Sequence, residues 1–467
     1  MRHLMDQRGR SQKFYGELGF LCLAVVIGLI VRIAFLTQTM RSDEALTFNN
    51  FVQKPGELLH YALPNNQLFH TVLVRLTTAV LGADPWIIRL PAFLAGIVAI
   101  PLGWQFCRRL NNGRGGEFIS AAIAVFPFFV LFSTNARGYT LLVCLCLLAG
   151  LHVQRILEDP NSTAIWPLAV FIALGFWTIP TMLYPATGIV FWLTLGLITK
   201  SDLAVRDGAW ILVVLGIQIV VLTTAFYAPT LIREKGIEEV FFNRFAASLS
   251  TEQFYGGMGD NLTHTLRHLF RHVTWKLPLV VLAVCGFVAS LMKREERLLL
   301  FLAGVSGGVA SAFLLKQSLP FTRSWIFALP FLFVVADRGY TWIVSATPRL
   351  VTFACHLLII GASVWFARDL VIHNRIAKYN DTGLFPEVID VADYLTKVTQ
   401  PGDKVISPIP NKEPLKYYLA RAECPVQVDH RLRQPGRHFF VTRENLAPDG
   451  EGKLLATIGA ARVFRMH

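Results

Sequence analysis

The chain has 467 residues, 54% hydrophobic and 16% charged, with a mean hydropathy of +0.48. This balance excludes an ordinary soluble globule and indicates a polytopic membrane protein. The net charge of +13 comes from Lys and Arg in short clusters between apolar runs, a pattern of membrane topology that argues against nucleic acid as a partner.

The basic N-terminus, MRHLMDQRGRSQKFYGE, precedes the apolar run Leu18–Leu36, long enough to cross a hydrocarbon core of ~30 Å. No small-residue cleavage site follows, so an uncleaved first span is expected. Further runs of spanning length lie near Leu90–Phe106, Phe118–Phe132, Tyr139–Leu157, Ala164–Ile179, Met182–Ile198 and Ala209–Tyr227. The last four are near Leu277–Met292, Leu298–Leu315, Ser324–Val344 and Val351–Phe366. The expected fold is therefore an all-α polytopic membrane protein of about eleven spans over residues 1–367, with a small extracytoplasmic α/β region over 368–467. In that tail, short apolar runs such as KVISPI and HFFVT alternate with Pro/Gly turns.

If the spans alternate, the N-terminal tail, Arg108-Arg109 with Arg114, Lys200 with Arg206, and Lys293-Arg294 with Arg297 fall on one side, which is then cytoplasmic. The opposite side carries the outer loops 38–89 and 229–276 and the tail. Within these loops Leu68–Leu81 and Leu262–Val273 repeat apolar residues at helical spacing, which suits helices lying in the interface. No internal repeat of the kind found in secondary transporters is evident.

The first outer loop opens on TMRSDEALTFNNF, Thr39–Phe51. Asp43 and Glu44 at a membrane exit suit three roles: deprotonating a hydroxyl, holding a divalent cation, or capping a helix that starts near Ala45. Adjacent residues on a helix diverge by about 100°, so the pair does not read as one two-carboxylate device.

TNARGYTLL, Thr134–Leu142, sits at the outer end of a span. Arg137 suits either a phosphate ligand or a snorkelling side chain, and Tyr139 offers a hydroxyl donor. In QSLPFTRSWIFALPF, Gln317–Phe331, Arg323 follows a proline-broken turn, again suited to an anionic headgroup. Arg41, Arg137 and Arg323 thus recur on the outer side, where topology gains little from positive charge. His264, His268 and His272 repeat at i, i+4 and i+8 between Arg267 and Arg271; three such residues span about 12 Å and cannot share one zinc, so a basic interfacial face is expected. Six cysteines lie in apolar runs and Cys424 is alone in the tail, so neither a disulfide framework nor a zinc site is legible. The Asn-X-Ser/Thr matches at Asn161, Asn261 and Asn380 are of a kind frequent by chance.

The ordered set RSDEALTFNNF, YALPNNQLFHTVLVRL, ADPWIIRLPAFLAG, ARGYTLL and LPFTRSWIFALP resembles the GT-C membrane glycosyltransferases, nearest to the protein O-mannosyltransferase and aminoarabinose-lipid A transferase type. The resemblance covers roughly the first 340 residues, with IIRLPAFLAG and the Asp-Glu pair its most specific parts. It implies a sugar donor linked to a polyprenyl phosphate, lying among membrane lipid, and an acceptor glycan, lipid or protein. It further implies Asp43 as the general base, Glu44 placing the acceptor or supporting Asp43, and Arg137, Tyr139 and Arg323 around the lipid phosphate. Arg41, Asn66 and Arg89 are further candidate substrate contacts. Where relatives carry a histidine or lysine after the first loop, this chain has Asn65-Asn66-Gln67, so Gln67 contributes hydrogen bonding to the phosphate without charge. A departing phosphate is already an anion, so such a reaction calls for a base on the acceptor and fixed cations on the leaving group. No cofactor is required, and a divalent metal is compatible with the residues without being demanded by them. A bacterial inner membrane with an extracytoplasmic site is the expected setting. A flippase for lipid-linked saccharide, or a membrane scaffold with an outer binding tail, would share the cations but have no use for a base at Asp43.

Overall fold

The computed structural model describes residues 2–61, 65–241, 248–430, 437–443 and 452–466, with residues 2–15 and 241 given by backbone alone. The basic side chains of the N-terminal tail that enter the topology argument, and the Ala62-Leu63-Pro64 part of the second motif, lie outside the described residues. The chain divides into two compact units. One comprises Met1–Phe35, Gln67–His70 and Leu90–Ile376, the other Leu36–Asn66, Thr71–Arg89 and Ala377–His467.

The first unit is helical, in keeping with the polytopic fold class expected from composition. Among the described residues, seven helices are long and apolar enough to cross a membrane: Gly16–Leu36, Pro85–Leu110, Tyr139–Glu158, Pro180–Ile198, Val205–Leu231, Glu296–Lys316 and Arg349–Ile372. Other predicted spans are helical but shorter, such as Ile165–Thr178 and Lys276–Met292. Val205–Leu231 and Arg349–Ile372 bury only 11% of their most apolar window and expose Trp210, Val220 and Leu358. Helices apolar all round with so much open surface have lipid as their natural solvent.

The run predicted over Phe118–Phe132 is two helices, Glu117–Val125 and Pro127–Ser133, every residue of which is buried. Pro127 has no N–H for the Ile123 carbonyl and holds Phe126 extended (ψ 126°), so the helix breaks there. Arg32, buried within the first span, repairs the break by donating to the carbonyls of Ile123 (3.0 Å) and Ala124 (2.7 Å), and to Ser133 Oγ (3.0 Å). The N-terminal end of the same helix is closed from elsewhere in the unit. Asp337 accepts the N–H groups of Gly116 (2.9 Å), Phe118 (2.9 Å) and Ile119 (3.3 Å). Gly115 (φ +78°) permits this approach, because a Cβ there would lie 2.2 Å from Asp337 Oδ2.

The second unit is built on a five-stranded sheet of β1 (Lys404–Ile406), β2 (Gln427–Asp429), β3 (His438–Thr442), β4 (Gly452–Ile458) and β5 (Ala461–Met466), in the order β2-β1-β3-β5-β4. β1 runs parallel to β2 and β3, and the β3–β5 and β4–β5 pairs are antiparallel. Helix Lys412–Arg421 makes the crossover that a parallel β1–β2 pair requires. Helix Val388–Val398 buries Val388, Val391, Ala392 and Leu395 at i, i+3, i+4 and i+7 against Val405, Phe439 and Val463. Two segments of the first outer loop, Leu36–Asn66 and Thr71–Arg89, belong to this same unit. Tyr417 donates to the Ala83 carbonyl (2.7 Å), Arg421 pairs with Asp84 (2.5 Å), and the Ser42 N–H reaches the Gly383 carbonyl (3.1 Å).

Candidate active site

The helix that opens the first outer loop runs from Ser42 to Thr47 and continues as a π-helical turn over Phe48–Val52. Arg41 is its extended N-cap, and Glu44, three residues on, reaches back to accept the Arg41 N–H at 2.7 Å. Of the three roles open to the acidic pair, capping therefore falls to Glu44. The same carboxylate is fully buried and receives Arg89 in a forked ion pair, Nε on Oε2 at 3.0 Å and Nη2 on Oε1. The remaining Arg89 donors go to the carbonyls of Leu36 and Gln38 (both 2.7 Å) and Thr39 (3.1 Å). Arg89 exposes no surface, and these bonds make it a fastening for residues 36–44.

Arg41 is likewise buried and donates to the Tyr379 carbonyl (2.6 Å) and Thr382 Oγ1 (3.4 Å). Desolvation pulls its guanidinium down to about 10, with Glu44 acting in the opposite direction. Asn66 is buried, and its Nδ2 donates to the carbonyls of Leu58 (3.0 Å) and His60 (2.6 Å), closing the turn that returns the loop. Asn49 bonds Glu413 through both its carbonyl (3.0 Å) and its carboxylate (3.1 Å).

Asp43 differs from its neighbour. It is half-buried, stands in the first turn where the helix dipole favours an anion, and accepts Asn65 Nδ2 on Oδ1 at 3.2 Å. Its N–H donates to the Thr382 carbonyl (3.1 Å), and Thr47 Oγ1 bridges the carbonyls of Asp43 (3.0 Å) and Asn65 (3.1 Å). Asn65 thus orients the carboxylate, a role that residue patterns did not assign. The adjacent Asn66-Gln67 anomaly was the one signal toward it.

Gln67, Arg137, Tyr139 and Arg323 belong to the other unit. Gln67 Oε1 accepts the N–H of Gly138 at 2.5 Å, which makes it the brace of the Arg137-Gly138-Tyr139 turn. That turn is tight: a Cβ on Gly138 would lie 2.6 Å from Thr178 Cγ2 and 3.1 Å from His70 Cβ. Arg137 is buried, with its guanidinium 6.0 Å from the Tyr139 ring centroid. His70, one helical turn after Gln67, is buried in the same cluster, and desolvation with the Arg137 charge holds it down to about 3. It is therefore a neutral imidazole, and the sequence reading missed it. Arg323 lies in the 3₁₀ turn Thr322–Trp325, its guanidinium 4.6 Å from the Phe321 ring centroid.

The histidine series does not keep one helical face. The helix ends at Leu269; His264 and His268 stack at 5.7 Å, whereas His272 lies beyond the end with φ 63°. Among the described residues no group of three or more His, Cys, Asp or Glu could hold a metal ion.

With this geometry in hand, comparison with known proteins shows the fold. The fold is that of the GT-C membrane glycosyltransferases. A family model described as dolichyl-phosphate-mannose-protein mannosyltransferase matches residues 66–227. Apo ArnT from Cupriavidus metallidurans is similar over 96% of this chain and 98% of its own, with TM-score 0.63 at 12% identity. The same protein bound to undecaprenyl phosphate is similar with TM-score 0.59 and 13% identity over the same shares. The Archaeoglobus fulgidus oligosaccharyltransferase, tethered to an acceptor peptide with an NVT sequon, matches with TM-score 0.50 at 12% identity, over 89% of this chain and 64% of that one. A search of curated proteins finds no match. The resemblance to this superfamily first seen in the ordered motifs is thus shown.

Proposed function

We propose that the chain transfers a sugar from a polyprenyl-phosphate donor to an acceptor hydroxyl, with Asp43 as general base and inversion at the anomeric carbon. The observation that carries this reading is the divergence of the acidic pair. Glu44 is enclosed and neutralised by Arg89, while Asp43 is half-buried and oriented by Asn65. The GT-C fold and the lipid phosphate held by the Cupriavidus protein support the donor class.

In this mechanism Asp43 takes the acceptor proton as the hydroxyl oxygen bonds to the anomeric carbon. The bond from that carbon to the phosphate oxygen breaks, and the lipid phosphate departs with the electron pair. Arg137 and Arg323 stabilise its charge, with Tyr139 adding a hydroxyl donor. Gln67 acts through Gly138 by fixing the turn that carries Arg137. Glu44, Arg41, Asn66 and Arg89 hold the loop rather than touch substrate. The reading places the protein in a bacterial inner membrane with residues 368–467 and the reacting groups on the extracytoplasmic side.

The test is incubation of purified protein with a panel of polyprenyl-phosphate sugars and membrane extract, followed by mass spectrometry for a molecule gaining one sugar. Asp43→Asn, still folded and inserted, should not produce it. Unimpaired transfer by that variant removes the catalytic assignment and leaves the flippase or scaffold reading.

A further inference from the structure

Four helices of the first unit, Pro85–Leu110, Tyr139–Glu158, Leu183–Ile198 and Glu296–Lys316, bring one terminus each to a cavity of about 310 Å³ that the transfer reaction does not use. Gln154, one turn before the end of its helix, lines this cavity. It is only 6% exposed, and among the described residues neither its Oε1 nor its Nε2 has a hydrogen-bond partner. A buried amide at the end of a membrane span is unfavourable unless something beside it offers both a donor and an acceptor.

The charges of the lining carry both signs. Arg109 and Arg297, from two other helices, converge on Glu158 at 3.8 and 3.2 Å. Lys200, Asp202 and Glu296 complete the charged lining, and none of these three has an ion-pair partner among the described residues. A simple anion would meet the carboxylates of Asp202 and Glu296, and a simple cation would meet three basic side chains. A zwitterion answers both. Leu157, Trp192 and Leu300 supply an apolar wall, and Ile198, at the end of the helix that carries Trp192, is 74% exposed. The cavity thus adjoins surface suited to lipid, and its volume lies in the range of small-ligand sites.

We propose that this cavity binds a phosphoethanolamine group, its phosphate taken by Lys200 with Arg109 and Arg297 and its ammonium by Asp202, Glu296 and Oε1 of Gln154. Nε2 of Gln154 then donates to a phosphate oxygen. A primary ammonium has three N–H donors for these acceptors, whereas the quaternary nitrogen of choline has none. Two sources carry the group: the membrane lipid phosphatidylethanolamine and free phosphoethanolamine. The site lies within the first unit, and its test reads binding and not transfer, so it stands independently of the proposed reaction.

The experiment places the full-length protein in phosphatidylcholine nanodiscs containing equal minor shares of phosphatidylethanolamine and phosphatidylglycerol, and counts the lipids retained on the released protein by native mass spectrometry. Phosphatidylethanolamine should be retained about tenfold over its share, ahead of both other lipids. Isothermal titration with phosphoethanolamine in pure phosphatidylcholine nanodiscs tests the free form; saturable binding there without a lipid preference assigns the site to the soluble source. Gln154→Leu, which keeps the bulk and removes both polar atoms, should abolish whichever binding is found without lowering thermal unfolding. Lys200→Glu, in a half-buried loop position, should do the same. Arg206→Glu, an exposed charge reversal outside the lining, should leave binding intact. Equal retention of ethanolamine and choline lipids together with no binding of phosphoethanolamine overturns the proposal. So does a higher retention of phosphatidylglycerol, indifference to either Gln154→Leu or Lys200→Glu, or an equal loss in Arg206→Glu.

Discussion

Glu44 and Arg89 form an ion pair in which neither side chain exposes any surface, and Arg89 simultaneously holds the carbonyls of Leu36, Gln38 and Thr39. One bond network thereby fastens the chain where it leaves the first span. Removing one partner leaves a buried, uncompensated charge, which costs about 3–5 kcal/mol. Arg89→Met should lower stability by that order in chemical unfolding of the detergent-solubilised protein. The Arg89→Met/Glu44→Met double variant should lose less than the sum of the single losses. A singly substituted Arg89 protein as stable as wild type would show that the pair fastens nothing.

Asp43 lies one residue away with a different fate. On the proposed mechanism, replacing it by Asn removes the base and should lower transfer by about 10²–10⁴-fold. Stability should fall by no more than about 1 kcal/mol, the value of a carboxylate in a helix first turn. On the same mechanism, Asn65→Leu should lower kcat, because it disorients the base without removing it. Parallel kinetics and unfolding curves on the two variants separate chemistry from folding.

Gly138→Ala sets a methyl group 2.6 Å from Thr178 Cγ2, and the turn must shift to accept it. On the proposed function the expected result is a raised KM for the lipid-linked donor, since Arg137 moves with the turn. Adding Thr178→Ser, which removes the clashing methyl, should recover much of the loss. No effect of Gly138→Ala on donor KM would detach this turn from donor binding.

His70 confers acid sensitivity. Its folded-state pKa of about 3 lies below the unfolded value of 6.5, so the unfolded chain binds the extra proton between those limits. Stability is complete above pH 6.5 and falls as pH drops toward 3, with a loss of about 2 kcal/mol by pH 5. His70→Gln should flatten this part of the stability profile, measured as unfolding midpoint against pH.

Arg32→Leu keeps the first span apolar but leaves the Ile123 and Ala124 carbonyls without their donor. Each unsatisfied buried group costs about 1–3 kcal/mol. Thermal unfolding should show a marked loss despite the gain in hydropathy, and an unchanged midpoint would mean that the Pro127 break needs no repair.

Much of the architecture is legible along the chain because membrane insertion acts on local composition. Runs such as Val205–Leu231 and Arg349–Ile372 declare themselves by length and apolarity alone. Ordered motifs likewise carry the resemblance to GT-C enzymes, and the 3.6-residue period marks Leu68–Leu81 as a helix. Arg32 escapes such a reading because one arginine scarcely changes the hydropathy of its run, and its partners are about ninety residues away.

The acidic pair shows the limit most clearly. Asp43 and Glu44 are chemically close and adjacent, so no local rule separates their roles. Their burial and partners separate them: Glu44 meets Arg89, 45 residues on, whereas Asp43 meets Asn65, 22 residues on. The same holds for the association of the first outer loop with residues 377–467, fastened by Arg41 to Tyr379 and Asn49 to Glu413. Composition and periodicity report whether a segment prefers lipid or water and which period it follows. Which distant partner neutralises a given charge depends on packing between remote segments, and that information exists only in the folded chain.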